Sequence, residues 1–336
     1  MKFRNSAAAL GLSVLAALLI LDSRTWCGGA ADGVALCLKT VIPSLFPFFF
    51  LSALLRGALT GRSLPALAAA SRLCGIPPGQ EGLLLSGFLG GYPVGAAAVA
   101  DSWRSGCLSD RDARRLLGFC SNAGPAFLFG MLTPLFSSPG AVWLLWGIHL
   151  ASALLTGILL PGKPASSGPA KAAPPGRTSD AMTGSLKAMA SVCGWVILFR
   201  AALAFLSRRM LGKLPTAWQV LLAGLLELTN GCCRLGSVAP EWLRFLLCVG
   251  TVAFGGLCVV FQTASVTRGL GIGTYLRGKL LQTVLSAILA CPAAALLYPG
   301  TVPAPILAGA AVFALILAGT AFFRQKRTGN FQPVPV

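Results

Sequence analysis

Apolar runs of helix length recur along the whole 336-residue chain, and several are interrupted near their middles by glycine, proline or asparagine. Runs so long and so poor in charge need lipid as their solvent. Hydrophobic residues make up 55% of the sequence and charged residues 11%, outside the usual range of a soluble domain. In lipid every backbone amide and carbonyl must find its partner inside the protein, and the runs lack the strict alternation of barrel strands, so helices are expected. The fold expected is all-α: a polytopic transmembrane helical bundle of two loosely repeated halves with discontinuous helices.

The net charge of +18 comes from Lys and Arg scattered in short stretches between the apolar runs. That is the distribution of cytoplasmic loops lying against anionic lipid, and no basic groove interleaved with aromatics is present to hold nucleic acid. Membrane lipid is an expected partner; nucleic acid is not. Eleven cysteines stand singly apart from the adjacent Cys232 and Cys233, without Cys-x-x-Cys or Cys/His spacing, so no metal site and no cofactor is expected. Paired intramembrane aspartates, His-Glu-x-x-His and a Gly-x-Ser-x-Gly with a histidine partner are all missing from the sequence, and the chain does not read as an enzyme.

Lys2 and Arg4 precede an apolar run over 7–21, read as an uncleaved first helix with its basic end in the cytoplasm and residues 1–27 as an N-terminal transmembrane helix. Arg324, Lys326 and Arg327 follow the last span, which makes 324–336 a cytoplasmic tail and the protein a multi-pass one of the cell membrane with both termini inside. Between them, 161–178 is a linker rich in Pro, Gly, Ala and Ser that carries Lys163, Lys171 and Arg177, separating a first membrane half (28–160) from a second (179–323).

The interruptions carry most of the information. A span from about 42 to 59 holds Pro43 and Pro47 and should enter bent. Residues 81–104 are long enough to cross, yet Gly90-Gly91-Tyr92-Pro93 lies in the middle, and Ser121-Asn122-Ala123-Gly124-Pro125 interrupts the next helical stretch; two half-helices with an unwound turn are expected at each. Past the linker, a run over 221–227 leads into Thr229-Asn230-Gly231, and Ala253-Phe254-Gly255-Gly256 breaks a run that continues to Gln262. Two plain spans, near 280–297 and 306–323, end the chain. The breaks recur with an offset of about 135 residues, the pointer to a repeat-built transporter with its site at the breaks. Whether the halves are inverted or parallel depends on whether each broken segment crosses or re-enters, which spacing leaves open.

The blocks Gly-Gly-Tyr-Pro-Val-Gly-Ala (90–96), Ser-Asn-Ala-Gly-Pro-Ala-Phe-Leu-Phe-Gly (121–130), Leu-Leu-Glu-Leu-Thr-Asn-Gly (225–231) and Ala-Phe-Gly-Gly-Leu-Cys-Val-Val-Phe-Gln (253–262) resemble the YlbJ-type sporulation integral membrane proteins. These are grouped with spore-maturation proteins under the nucleoside-recognition, or Gate, domain, also found in nucleoside transporters and ferrous-iron transport proteins. The resemblance runs from about Ile42 to Leu297. It implies two Gate-like membrane halves and a role in sporulation. The chain departs from the pattern in having Gly-Gly-Tyr-Pro where related proteins often have Gly-Phe-Pro-Ser.

Backbone groups freed at a break inside lipid can bind a ligand. Gly91, Tyr92, Asn122, Gly124, Asn230 and Gln262 are the candidate substrate-binding residues: the amides supply hydrogen bonds, and the Tyr92 ring stacks on a planar ligand. The bland alternative is a proline-kinked, glycine-packed bundle glued by its Asn and Gln side chains. Glu227, the acid set deepest in an apolar run, is the candidate for ion coupling, or else half of a structural pair with Arg200. His149 reads as a hydrogen-bonded interior residue. The function expected is binding or transport of a small polar solute, nucleoside-like or anionic; the alternative is a non-transporting structural or assembly protein of the spore envelope, with partner proteins or a homo-oligomer.

Overall fold

The computed structural model describes residues 16–59, 64–160 and 178–315, together with Leu10, Ser13 and Val14. Helices dominate, and no strand occurs among the described residues. Five helical segments are long and apolar enough to span a bilayer: Ser23–Leu55, Gly140–Leu159, Thr178–Arg209, Glu241–Val266 and Gly273–Leu297. The chain is thus an all-α helical membrane bundle. Most of the N-terminal run, the linker up to residue 177 and the tail fall outside the described residues.

Helix α1 (Ser23–Leu36) passes through a π-helical turn (Cys37–Val41) into α2 (Ile42–Leu59). The wide turn lies where Pro43 cannot donate to the carbonyl of Lys39, and the Ser44 hydroxyl donates to the Thr40 carbonyl at 2.7 Å beside it. After α3 (Pro65–Leu73) come the short helices α4 (Gly82–Leu89), α5 (Val94–Arg104) and α6 (Asp110–Leu117), then α7 (Pro125–Leu135) and the long α8 (Gly140–Leu159). The second half runs α9 (Thr178–Arg209), α10 (Thr216–Leu226), α11 (Leu228–Arg234), α12 (Glu241–Phe254), α13 (Gly256–Val266), α14 (Gly273–Leu297) and α15 (Ala304–Leu315).

Residues 81–104 do not cross as one segment. Helix α4 turns back on itself into α5, and the two touch through glycine: a Cβ built on Gly95 would lie 2.7 Å from the Gly87 Cα and 3.0 Å from the Cys120 carbonyl carbon. Helices α10 and α11 double back in the same manner, with a Cβ on Gly231 only 2.7 Å from the Gly224 nitrogen. Composition fixes how apolar a segment is but not its direction, so this folding back escapes a reading by length.

Helix α9 packs along both α1 and α2. Gly29 and Gly33 of α1 make the approach close, a Cβ on either coming within 2.9 Å of the Ala201 or Ile197 Cα, the small-residue packing that lipid favours because apolar burial gives no drive between helices there. At one end of this seam Asp22 sits 3.7 Å from Arg208 and 3.4 Å from Arg209. A hydrogen bond from the Thr25 hydroxyl, helped by both guanidinium groups, holds the Asp22 carboxyl below its ordinary range.

Gly95→Ala is expected to lower the apparent melting temperature of the detergent-purified protein markedly, since neither backbone can give way. Gly147→Ala, where a new Cβ meets nothing within 4 Å, should leave it unchanged or slightly raise it.

Candidate functional site

Four non-helical connections meet at the centre of the bundle: 90–93, 121–124, the single extended residue Glu227, and Gly255, just before α13 begins at Gly256. Gly91 (φ +75°), Gly255 (φ +82°) and Gly256 (φ +83°) are in the left-handed region that favours glycine. Their contacts explain why side chains are missing there. A Cβ on Gly124 would lie 3.0 Å from the Gly91 Cα, and one on Gly256 2.8 Å from the Gly224 carbonyl oxygen. The first hairpin tip therefore rests on the 121–124 connection, and the second on the break between α12 and α13.

Glu227 (φ −149°, ψ 121°) ends α10 and caps α11. Its carboxylate accepts the backbone N–H groups of Thr229 (2.9 Å) and Asn230 (2.7 Å) and the Asn230 side-chain amide (2.7 Å), satisfying amides that a helix start leaves without intrahelical partners. Arg200 does not pair with Glu227 directly. It donates to Asn230 Oδ1 at 2.6 Å and lies 3.6 Å from the Asp32 carboxylate, so Asn230 is the link in a chain from a buried acid to an exposed one.

A second polar network surrounds Lys279, which the sequence reading passed over by starting a plain span one residue later. Lys279 is 0% exposed. Its ammonium donates to Tyr92 Oη (3.1 Å), Asn122 Oδ1 (3.3 Å) and Gln282 Oε1 (2.7 Å) and stands 4.9 Å from the Tyr92 ring centroid. Gln282 also donates to Asn122 Oδ1 at 2.9 Å. All three N–H donors find neutral oxygens, and no carboxylate lies within ion-pair distance among the described residues. The signal was available: Lys279, Gln282 and Ser286 at i, i+3 and i+7 put polar groups on one face of an apolar helix. Tyr92 Oη in turn donates towards the Val252 and Ala253 carbonyls (3.3 and 3.4 Å), acceptors that α12 leaves open where it stops. His149 is an interior acceptor: the Ala123 N–H donates to its Nε2 at 3.1 Å.

Between the networks lies an inner cavity of about 40 Å³ whose wall includes Tyr92, Gly124, Glu227, Thr229 and Gln262. Four of the seven candidate residues thus face one space. Gly91 packs behind it, Asn122 belongs to the Lys279 network, and Asn230 stands behind Glu227. Gln262 is the least committed, its amide donating only to the Cys258 sulfur at 3.1 Å. The volume suits a few waters and is well below that of a drug-sized site. A larger vestibule of about 1050 Å³ opens beside it, lined by α2, α5, α9 and α13.

The chain is similar to the sporulation integral membrane protein YlbJ of Bacillus subtilis (strain 168), with 27% identity over 307 aligned residues covering 76% of this chain and 74% of the relative. No protein-family model and no solved structure matches it. The relative, like this chain, is an integral membrane protein.

Glu227→Gln is expected to lower the melting temperature, because the amide presents donors where backbone N–H groups already donate, a loss of about 1–3 kcal/mol. Asn122→Ala should cost a similar amount by leaving Lys279 and Gln282 without their shared acceptor, again about 1–3 kcal/mol; thermal unfolding in detergent checks both.

Proposed function

We propose that the chain binds a small polar solute, nucleoside-like or anionic, at the inner cavity and carries it across the membrane in the service of sporulation. The observation that carries this reading is the convergence of three non-helical connections, at Tyr92, at 123–124 and at Glu227, on one cavity that a buried acid, a tyrosine and a largely free glutamine share. Irregular backbone is tolerated at membrane depth where protein or a water-lined cavity satisfies it, and transporters place substrate sites there.

Two hairpins entering from opposite ends of α9 support an inverted repeat. Arg104, closing the first hairpin, donates to the Val266 carbonyl and shares the vestibule with Asp180 near the start of α9. Arg234, closing the second, donates to Ser207 near its other end. The vestibule end carries Arg104, Lys187 and Arg268, cations that support a cytoplasmic side there. Glu227 is the proposed coupling carboxylate, since it reaches the cavity while capping α11. Glu227→Gln, assayed well below its melting point, then abolishes coupled uptake; unchanged uptake removes that role.

The small cavity and the full set of bonds on Glu227 favour a second reading, in which the same residues only stabilise a spore-envelope assembly protein. Thermal unfolding of the purified protein against nucleosides, nucleobases, amino acids and small carboxylates separates the two. Transport predicts an upward shift with one class, lost in Gln262→Ala although that variant melts like the parent. No shift in folded protein, together with partner proteins that co-purify, supports assembly.

A further inference from the structure

The vestibule and the inner cavity lie end to end along the same seam, and each wall passes from one to the other within about one helical turn, roughly 5 Å. On α2, Leu45 faces the inner cavity and Phe49 the vestibule; on α9, Val192 faces inward and Ala188 outward. On the first hairpin the change falls between Tyr92 and Pro93, and on α13 between Gln262 and Ser265. The layer between the two spaces is apolar. Phe49, Val94 and Val192 are 2%, 5% and 4% exposed and pack in one cluster with Val41 and Leu45. None of these side chains can hydrogen-bond a water or a polar solute, so the layer excludes both while it stays packed, the physics of a dewetting constriction. On its inner side sits the buried carboxylate of Glu227; on its outer side are Asp101, Arg104 and Lys187.

Resting on the reading of the inner cavity as the solute site, we propose that Phe49, Val94 and Val192 form a hydrophobic gate that closes this cavity against the vestibule and makes the vestibule its route of access. Phe49 is the main plug, the one side chain of the three with the bulk to cover a narrow opening, on a helix whose π turn (Cys37–Val41) ends about two turns before it. Val94 rides on the 90–93 connection and Val192 on the long α9.

The gate is testable without knowing the solute. Ser44→Cys places a thiol in the inner cavity and Ser191→Cys one in the vestibule. Both are exposed to a membrane-impermeant methanethiosulfonate reagent in vesicles of each orientation, and labelling is followed by mass spectrometry of the peptide concerned, with Cys193→Ser added to Ser191→Cys because those two positions share a peptide. Ser191→Cys should label quickly from the vestibule side whatever stands at 49. Ser44→Cys should label slowly by itself and on the order of tenfold faster when combined with Phe49→Ala, from that side only, since the rate follows the fraction of time the layer is open. Val192→Ala provides the same test should Phe49→Ala not fold, as judged by its melting curve. A rate at 44 that stays within twofold in folded gate variants, or that rises equally from the opposite side, overturns the proposal. Solute binding read by thermal shift is independent of these rates, so a cavity that binds a solute but opens elsewhere fails only this test.

Discussion

A helix that stops inside a bilayer leaves amides and carbonyls that lipid cannot satisfy, and the centre of this protein is organised around meeting that demand. Glu227 caps the start of α11, His149 accepts the Ala123 N–H, and Tyr92 donates to the carbonyls at the end of α12. Each partner must come from another segment or a turned residue, so the four connections have to be near one another. Glycine makes the approach feasible. With a Cβ at Gly91, Gly124 or Gly256 the tips would stand further apart, and neither the shared cavity nor the bonds across it would form.

Two polar chains result, of opposite character. One runs from buried Glu227 through the neutral Asn230 amide and the Arg200 guanidinium to Asp32, ending at an exposed carboxylate. The other gathers neutral oxygens around Lys279. Tyr92 belongs to both neighbourhoods, its ring in the cavity wall and its hydroxyl on the lysine, so a change in either environment is felt by the same side chain.

The membrane class and helical nature of the chain were legible from charge-poor apolar runs, and the connections stand where Gly-Gly-Tyr-Pro, Ser-Asn-Ala-Gly-Pro, Glu227 and Gly255-Gly256 interrupt those runs. What the sequence withheld was direction and partnership. Nothing in Gly87 or Gly95 announces that they touch across a hairpin, and Asn122 and Asn230 look alike in sequence although one serves a lysine and the other an arginine and a glutamate. Lys279 was lost because a single cation near a helix start resembles a boundary residue; only its company with Gln282 and Ser286 on one helical face marks it as interior.

That lysine has an electrical consequence. With no acid beside it among the described residues, Lys279 in its protonated form is a net charge held on α14, a helix long enough to span the bilayer. Any rearrangement that carries it along the membrane normal does work against the transmembrane potential, about 2.3 kcal/mol for one charge crossing a full 100 mV. While Lys279 is protonated, voltage weights the conformations of such a bundle, with the share of the field that Lys279 crosses setting the strength of the effect.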